Sequence, residues 1–584
     1  MNGIILDISE WNSVAMALPS RAEELINATD AFADTVFVNT LKAKQNQVIY
    51  GRRGTGKTHL LKRLEEEYIS KFEQYRVIPI FVNGYRLRNQ ANRIGEIPQV
   101  VALSLYIEFI KTLVSEIYEF INSRQEAGLL SKILYDNQSK TAQKAQSIAK
   151  EMYDLLMKGD VRFLPAGDAS DEIQTLGETA SKVAGGFKLT LDPRKLGWIL
   201  NGETRRDKYK KKSEVTFRSI KGQIILPFNQ VAEKIQELLK LLDGASLVVL
   251  FDEWSDTDDD LNTQPYLADM IKRTFSFITH MHVKLACIPN RTLLATPVTF
   301  QNPIPVGYEE GDDISADIDL DSIIYVQNDL RQFLPFFVNV LKKHMGISYN
   351  LVEFMEMQKF EEFIYNNIFE GTNVFSELCQ ASAGVPRDFL HIFRMATYMQ
   401  VSKGDNKIKL IHIREASKQL HKSKRFSFRP DSDELIISDN IYRRVIAKHK
   451  TYFFLLKEKD SLYPAIKMLW AERLIHKMPA SYYDSETHIK YIYYMMDYGE
   501  CVDLLISGAD KLGKETGTKM EAFIPNFQCF GWLGEPIMAT IKSSLPMTMA
   551  EIAKALALEN TPAGSLETQP KDLIFDDPIF ESGS

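Results

Sequence analysis

The residues Gly51-Arg52-Arg53-Gly54-Thr55-Gly56-Lys57-Thr58 follow the spacing G-x-x-x-x-G-K-[ST], the pattern of a loop that cradles phosphate. Gly54 and Gly56 let the backbone wrap an anion without Cβ clashes. Gly51 and Thr55 complete the turn, and the loop N–H groups with the helix that follows point at the phosphate. Lys57 supplies a point charge for the β- and γ-phosphates, and Thr58 offers a hydroxyl to Mg²⁺. A second pair of groups able to do chemistry is Asp252-Glu253, which ends the apolar run Leu247-Val248-Val249-Leu250-Phe251. Asp252 is positioned to hold Mg²⁺, and Glu253 to orient and polarise an attacking water.

The flanking elements suit that chemistry. Gln47 to Tyr50 reads as a short buried strand running into the loop, and Leu60, Leu61, Leu64 and Tyr68 repeat at helical spacing after it. Residues 76–83 read as a second strand, 247–251 as a third, 283–288 as a fourth and 320–326 as a fifth, with helices at 103–160 and 230–242 between them. Strands alternating with helices imply a parallel α/β sheet, whose ligands sit at the carboxyl ends of the strands. Asn290 stands just past the fourth strand, where an amide can meet a γ-phosphate or the water. Gly384-Val385-Pro386-Arg387 ends one helix and opens another. A cation in a first helical turn opposes the helix dipole, so Arg387 calls for another reason to be there, such as a phosphate.

The chain has 584 residues and a net charge of −7, too long for one core and too acidic to bind nucleic acid over its whole surface. Four scattered cysteines suit neither a disulfide framework nor a zinc site. The start lacks the basic and apolar stretches of a signal peptide, and no apolar run is long enough to cross a bilayer. The expectation is a cytoplasmic, multidomain protein.

Together these motifs resemble an AAA+ P-loop ATPase, most similar to the origin-recognition and replication-initiator clade. Gly51 to Thr58 matches its first nucleotide motif and Asp252-Glu253 its second. Asn290 and Arg387 match its two sensors, and Ser20-Arg21…Glu24-Leu25 its lead-in helix. The resemblance covers about residues 15–95 and 225–420. It implies a five-stranded parallel sheet of order 5-1-4-3-2, a helical lid and a C-terminal winged-helix domain, with ATP-dependent assembly on nucleic acid. The expected organisation is an ATPase base at 1–327 with a mostly helical insertion at 95–225. A lid at 328–420, a winged-helix-like domain at 421–515 and an extension with an acidic tail at 516–584 follow. In the last domain, 452–456 and 465–475 are expected as helices and 488–498 as the wing.

Arg291 and Arg273 are the candidates for an arginine finger acting on a neighbouring copy in a homo-oligomer. Two basic patches stand out against the acidic background: Lys210, Lys211 and Lys212 within 205–212, and a run from His421 that includes Lys424 and Arg425. At that density they can neutralise DNA phosphates without reading sequence. The insertion or the apolar-acidic tail is a place for an effector protein. The reading is an ATP-hydrolysing switch or motor that engages DNA, in phage defence or mobile-element maintenance. The alternative is a signalling NTPase that recognises a protein ligand and assembles without DNA.

Overall fold

The computed structural model describes residues 7–18, 37–91, 98–126, 144, 147–148, 151–152, 162–165, 189–190, 199–200, 222–225, 228–241, 245–258, 260–278, 280–300, 303–321, 330–348, 350–353, 355–443, 453–457, 463–484 and 488–503. The main helices are, in chain order, α1 Ile8–Ala17, α2 Lys57–Ser70, α3 Pro98–Glu126, α4 Phe228–Lys240, α5 Thr263–Phe275, α6 Leu330–Ser348, α7 Thr372–Ala381, α8 Pro386–Ser402, α9 Leu410–Arg425, α10 Asp433–Ile441 and α11 Tyr463–Ala471. The main strands are β1 Gln47–Tyr50, β2 Val77–Asn83, β3 Ser246–Asp252, β4 Met281–Cys287, β5 Ser315–Asp319, β6 Phe453–Lys457, β7 Ile475–Asp484 and β8 Ile489–Met496. The chain divides into two compact units.

The unit formed by Thr35–Tyr50 and Leu60–Ile318 is built on one sheet of order β2-β3-β4-β1-β5. This is the expected order, read from the opposite edge. β2 pairs β3, β3 pairs β4 and β1 pairs β4, all parallel. A parallel sheet is covered on both faces, so its strands are near-continuous apolar runs; Leu247, Val249, Leu250 and Phe251 of β3 are fully buried. Helices α3, α4 and α5 contribute Tyr106, Phe109, Ile235 and Ile271 to the same core.

Lys284 of β4 is fully buried. Its ammonium donates to the carbonyls of Ala43 and Gln45 at 2.7 and 2.8 Å and to Gln47 Oε1 at 2.5 Å. A buried ammonium needs such acceptors, and these fasten the lead-in of β1 to its neighbouring strand.

Two expectations about this unit change. The fifth strand is Ser315–Asp319, not 320–326: Leu320 and Asp321 are helical, and 322–326 lie outside the described residues. An insertion beginning at 95 is also corrected, because α3 buries apolar residues from Val101 to Ile117, among them Leu105, Phe109 and Leu113, in the sheet's own core. The apolar spacing of α3 was legible, but its packing against α5 and β2 was not. Beyond it, two short antiparallel ladders join 162–165 to 222–225 and 189–190 to 199–200.

The unit formed by Met1–Asp34, Gly51–His59 and Asp319–Ser584 has one core running through its helices and its second sheet. Trp11 of α1 meets Phe360, Phe363 and Phe393 edge-on or tilted. Phe337, Phe389, Ile413, Phe454, Leu469 and Ile492 continue the same cluster. Strands β6, β8 and β7 form an antiparallel sheet in that order. Of residues 452–456, expected as a helix, 453–456 are therefore in strand β6, in keeping with the aromatic pair Phe453-Phe454; residue 452 lies outside the described residues. Helix α9 runs unbroken across the expected boundary at 420/421, so the helices before it and the C-terminal sheet share a helix as well as a core. Among the described residues one helix, α11, stands between β6 and β7.

Candidate nucleotide-binding site

The phosphate loop leaves β1 at Gly51 and enters α2 at Lys57. Gly54 and Gly56 have φ of +87° and +100°, the left-handed region that glycine enters without strain. Gly54 has a second constraint: a Cβ there would lie 2.7 Å from Arg387 Cβ. The Arg387 backbone N–H donates to the Gly54 carbonyl at 3.3 Å. The start of α8 thus sits directly on the loop, with Pro386 at its first turn. The Lys57 ammonium donates to the carbonyls of Gly51 and Arg52 at 2.5 and 2.8 Å. Thr55 donates its hydroxyl to the Arg52 carbonyl at 2.9 Å, and Thr58 is the second residue of α2.

In the other unit, Asp252 ends β3 and is 1% exposed. Glu253 follows in the left-handed region at φ +53°, an unfavourable conformation for a residue with a Cβ. Asn83, at the end of β2 and opposite Asp252 in register, explains how Glu253 is held. Its amide N–H donates to Glu253 Oε2 at 3.0 Å. Its amide oxygen accepts from Arg86 N at 3.0 Å, capping the short helix Gly84–Gln90. Both ends of the amide are engaged, so the carboxylate direction is set by a helix cap. Gly84 completes the fit, since a Cβ there would lie 2.3 Å from the Glu253 carbonyl. The sequence reading missed Asn83; its signal was a polar residue ending an apolar strand just before glycine.

A closed ring of polar groups holds the loop from the C-terminal side. Arg52 is 1% exposed. Its backbone N–H and its Nε each donate to the Asp321 carboxylate at 2.7 Å, and its guanidinium lies over the Trp470 ring. Arg52 Nη1 also meets His476 Nδ1 at 2.6 Å. An arginine only donates, so Nδ1 accepts, and Nε2–H donates to Asp497 Oδ1 at 3.1 Å. That is the neutral tautomer, consistent with burial pushing His476 down to about 4. Asp497 takes Lys424 at 2.8 Å and His421 at 2.7 Å. Lys424 Nζ also lies 2.9 Å from Asp388, which lies 3.3 Å from Arg473 Nε. Arg473 closes the ring by donating from Nη1 to the Arg53 carbonyl at 2.8 Å.

The charges are mutually tuned. Burial works to raise Asp388 and Asp497, but the cations around them prevail and hold both carboxyls below their usual range. Burial works to lower His421, but its bonds to Asp497 and Glu500 prevail and raise it.

The other sequence candidates are placed as follows. Asn290 stands in the single turn Pro289–Arg291 just past β4. Arg291 is half-buried, with its carbonyl accepting from Gln264. Arg273 pairs with Asp269 on its own helix at 2.8 Å. Lys424 is corrected: its side chain is 4% exposed between Asp388 and Asp497, out of reach of a duplex. Arg425 is half-buried against Asp439 and Glu500. Lys210, Lys211, Lys212, the lead-in at 20–25 and the tail lie outside the described residues.

No family model matches the sequence, and no curated protein matches it. Among solved structures, the chain is similar to the Aeropyrum pernix ORC2 protein in ADPNP-ADP complexes, at 11% identity and a TM-score of 0.31, covering 84% of this chain and 98% of that one. It is similar to a Walker-type ATPase of Pyrococcus abyssi at 12% identity and 0.33, covering 83% and 97%. It is similar to the Aeropyrum pernix ORC1 protein in complex with DNA at 11% identity and 0.28, covering 85% and 97%. Strand order, with a glycine loop after β1 and an acid pair after β3, makes this an AAA+ α/β fold.

Two tests follow from this geometry. Asn83→Ala loses both the helix cap, worth about 1 kcal/mol, and the bond to Glu253. Asn83→Ser restores a cap but cannot reach the carboxylate. Thermal melting should therefore recover in the serine variant; a melting temperature as low as that of Asn83→Ala would show that the bond to Glu253, and not the cap, carries the loss. The second concerns pH. A histidine raised in the folded state stabilises fully below its unfolded value of 6.5, and that contribution fades as pH rises through the higher folded value. Urea midpoints should fall with pH above 6.5, and His421→Gln should flatten that fall. An equally steep fall in the variant would remove His421 from the account.

Proposed function

We propose that the chain is an ATP-hydrolysing AAA+ switch. The observation that carries this reading is Glu253, held in a left-handed turn with its carboxylate fixed by Asn83. A strained, buttressed acid after a buried aspartate is hard to explain as packing and fits a group that must aim at a water. The loop fits a triphosphate: its glycines occupy the conformations a phosphate cradle needs, and Lys57 closes its mouth. Thr58 and Asp252 would hold magnesium, which when bound offsets the charge of the β- and γ-phosphates. In this assignment Glu253 takes the proton of the attacking water, Asn290 orients that water, and Arg387 meets the γ-phosphate from the lid. Gly51, Gly54, Thr55 and Gly56 bind through the backbone.

DNA engagement, homo-oligomeric assembly with Arg291 or Arg273 as finger, and a role in phage defence or mobile-element maintenance are proposals beyond that chemistry. Support comes from the basic run at 205–212, from the exposed Lys422 of α9 and from the exposed Arg429 just past that helix. The burial of Lys424 and the pairing of Arg425 favour the second reading, a signalling NTPase whose assembly answers a protein ligand.

Phosphate release by the full chain, with and without duplex DNA at low salt, tests these assignments. Glu253→Gln should bind MgATP as wild type does yet turn over about 100-fold more slowly, and Lys57→Ala should lose binding. Normal turnover in Glu253→Gln would remove the proton-accepting role. Stimulation by DNA supports the first reading, and indifference to DNA supports the second.

A further inference from the structure

The three residues that follow Gly51 in the loop, Arg52, Arg53 and Gly54, are each held from the C-terminal part of the same unit. Arg52 is bound by Asp321 through backbone and side chain. The Arg53 carbonyl is bound by Arg473, and the Gly54 carbonyl by the N–H of Arg387. Asp321 and Arg387 belong to segments the nucleotide fold itself supplies. Arg473 does not: it lies in the turn between α11 and β7 of the second sheet. That turn is unusual, because Arg473 has φ +62°, a conformation in which glycine would be the easier choice. The left-handed backbone projects its side chain toward two targets at once, the Arg53 carbonyl and the buried Asp388. Asp388 is in turn the neighbour of Arg387 on α8.

We propose that Arg473 is a positioning residue for the phosphate loop, supplied by the C-terminal sheet. A trans peptide is planar, with its C=O and N–H on opposite sides. Gripping the Arg53 carbonyl therefore fixes where the Gly54 N–H points, and that N–H belongs to the stretch that must face phosphate. Through Asp388 the same guanidinium also steadies the first turn of α8, and with it Arg387. One side chain sets a backbone donor and a lid cation together. Because the grip is mutual, filling the loop with phosphate and seating the C-terminal sheet are linked equilibria, each favouring the other. The inference rests on the nucleotide-binding reading above.

The left-handed φ supplies a clean variant. Arg473→Gly relieves the backbone while deleting the side chain, so the fold has a compensating gain. Arg473→Lys keeps a cation beside Asp388 but lacks the fork that serves two acceptors. Titration calorimetry of the full-length variants with MgATP, alongside thermal melting, tests the proposal. Arg473→Gly should bind MgATP roughly tenfold more weakly, as loss of one charge-assisted hydrogen bond implies. Arg473→Lys should recover part of that loss. Unchanged affinity in Arg473→Gly, with or without a lower melting temperature, overturns the proposal and leaves Arg473 as packing alone. If wild type fails to bind MgATP and Lys57→Ala does not differ from it, the nucleotide reading itself falls and takes this inference with it.

Discussion

Charges withdrawn from water are tolerated only when they are closely paired, and the loss of one partner strands the other. That constraint governs the ring from Arg52 through His476, Asp497, Lys424, Asp388 and Arg473 back to Arg53. Its members come from the phosphate loop, from α8 and α9, and from the second sheet. Opening it removes one partner from a buried carboxylate or cation, so these segments favour one another's placement. The single hydrophobic core beneath them, from Trp11 through Phe389 to Ile492, supplies adhesion; the ring supplies register. Its neutral histidine matters as much as its ions. His476 passes a hydrogen bond from an arginine to an aspartate without adding a charge that the site would have to balance.

The sheet unit solves a different problem, that of aiming one acid. β3 delivers Asp252 and Glu253 by a buried apolar run, and the chain then turns through an unfavourable backbone conformation at Glu253. Asn83 fixes the carboxylate by splitting its amide between a helix cap and the acid. The two arrangements share a logic: in each, a group that the proposed chemistry turns toward a ligand is fixed by polar bonds to its surroundings rather than by its own conformational preference.

Much of this was legible in the sequence where local rules decide. The glycine loop, the buried strands and the acid pair after β3 each follow from residue type and spacing, and the strand order followed once the resemblance was drawn. What failed depended on partners distant in sequence. Residues 453–456 form an apolar run that suits helix or strand, and pairing with β8 decides for strand. Lys424 sits in a basic run, and only the burial of Asp388 and Asp497 reveals it as an internal ion-pair member. Arg52 and Arg53 were variable positions of a motif, and nothing local marks them as anchors. Asn83 was the nearest miss, because a polar strand end before glycine is a cap signal that can be read without a structure.

The ring makes the phosphate loop and the second sheet one thermodynamic unit, and amide hydrogen exchange tests that most directly. Exchange across β6, β7 and β8 of the full-length protein, with and without saturating MgATP, should slow when nucleotide is bound, although these strands lie far along the chain from the loop. Identical exchange in the two states, with nucleotide binding verified in the same sample, would contradict the coupling.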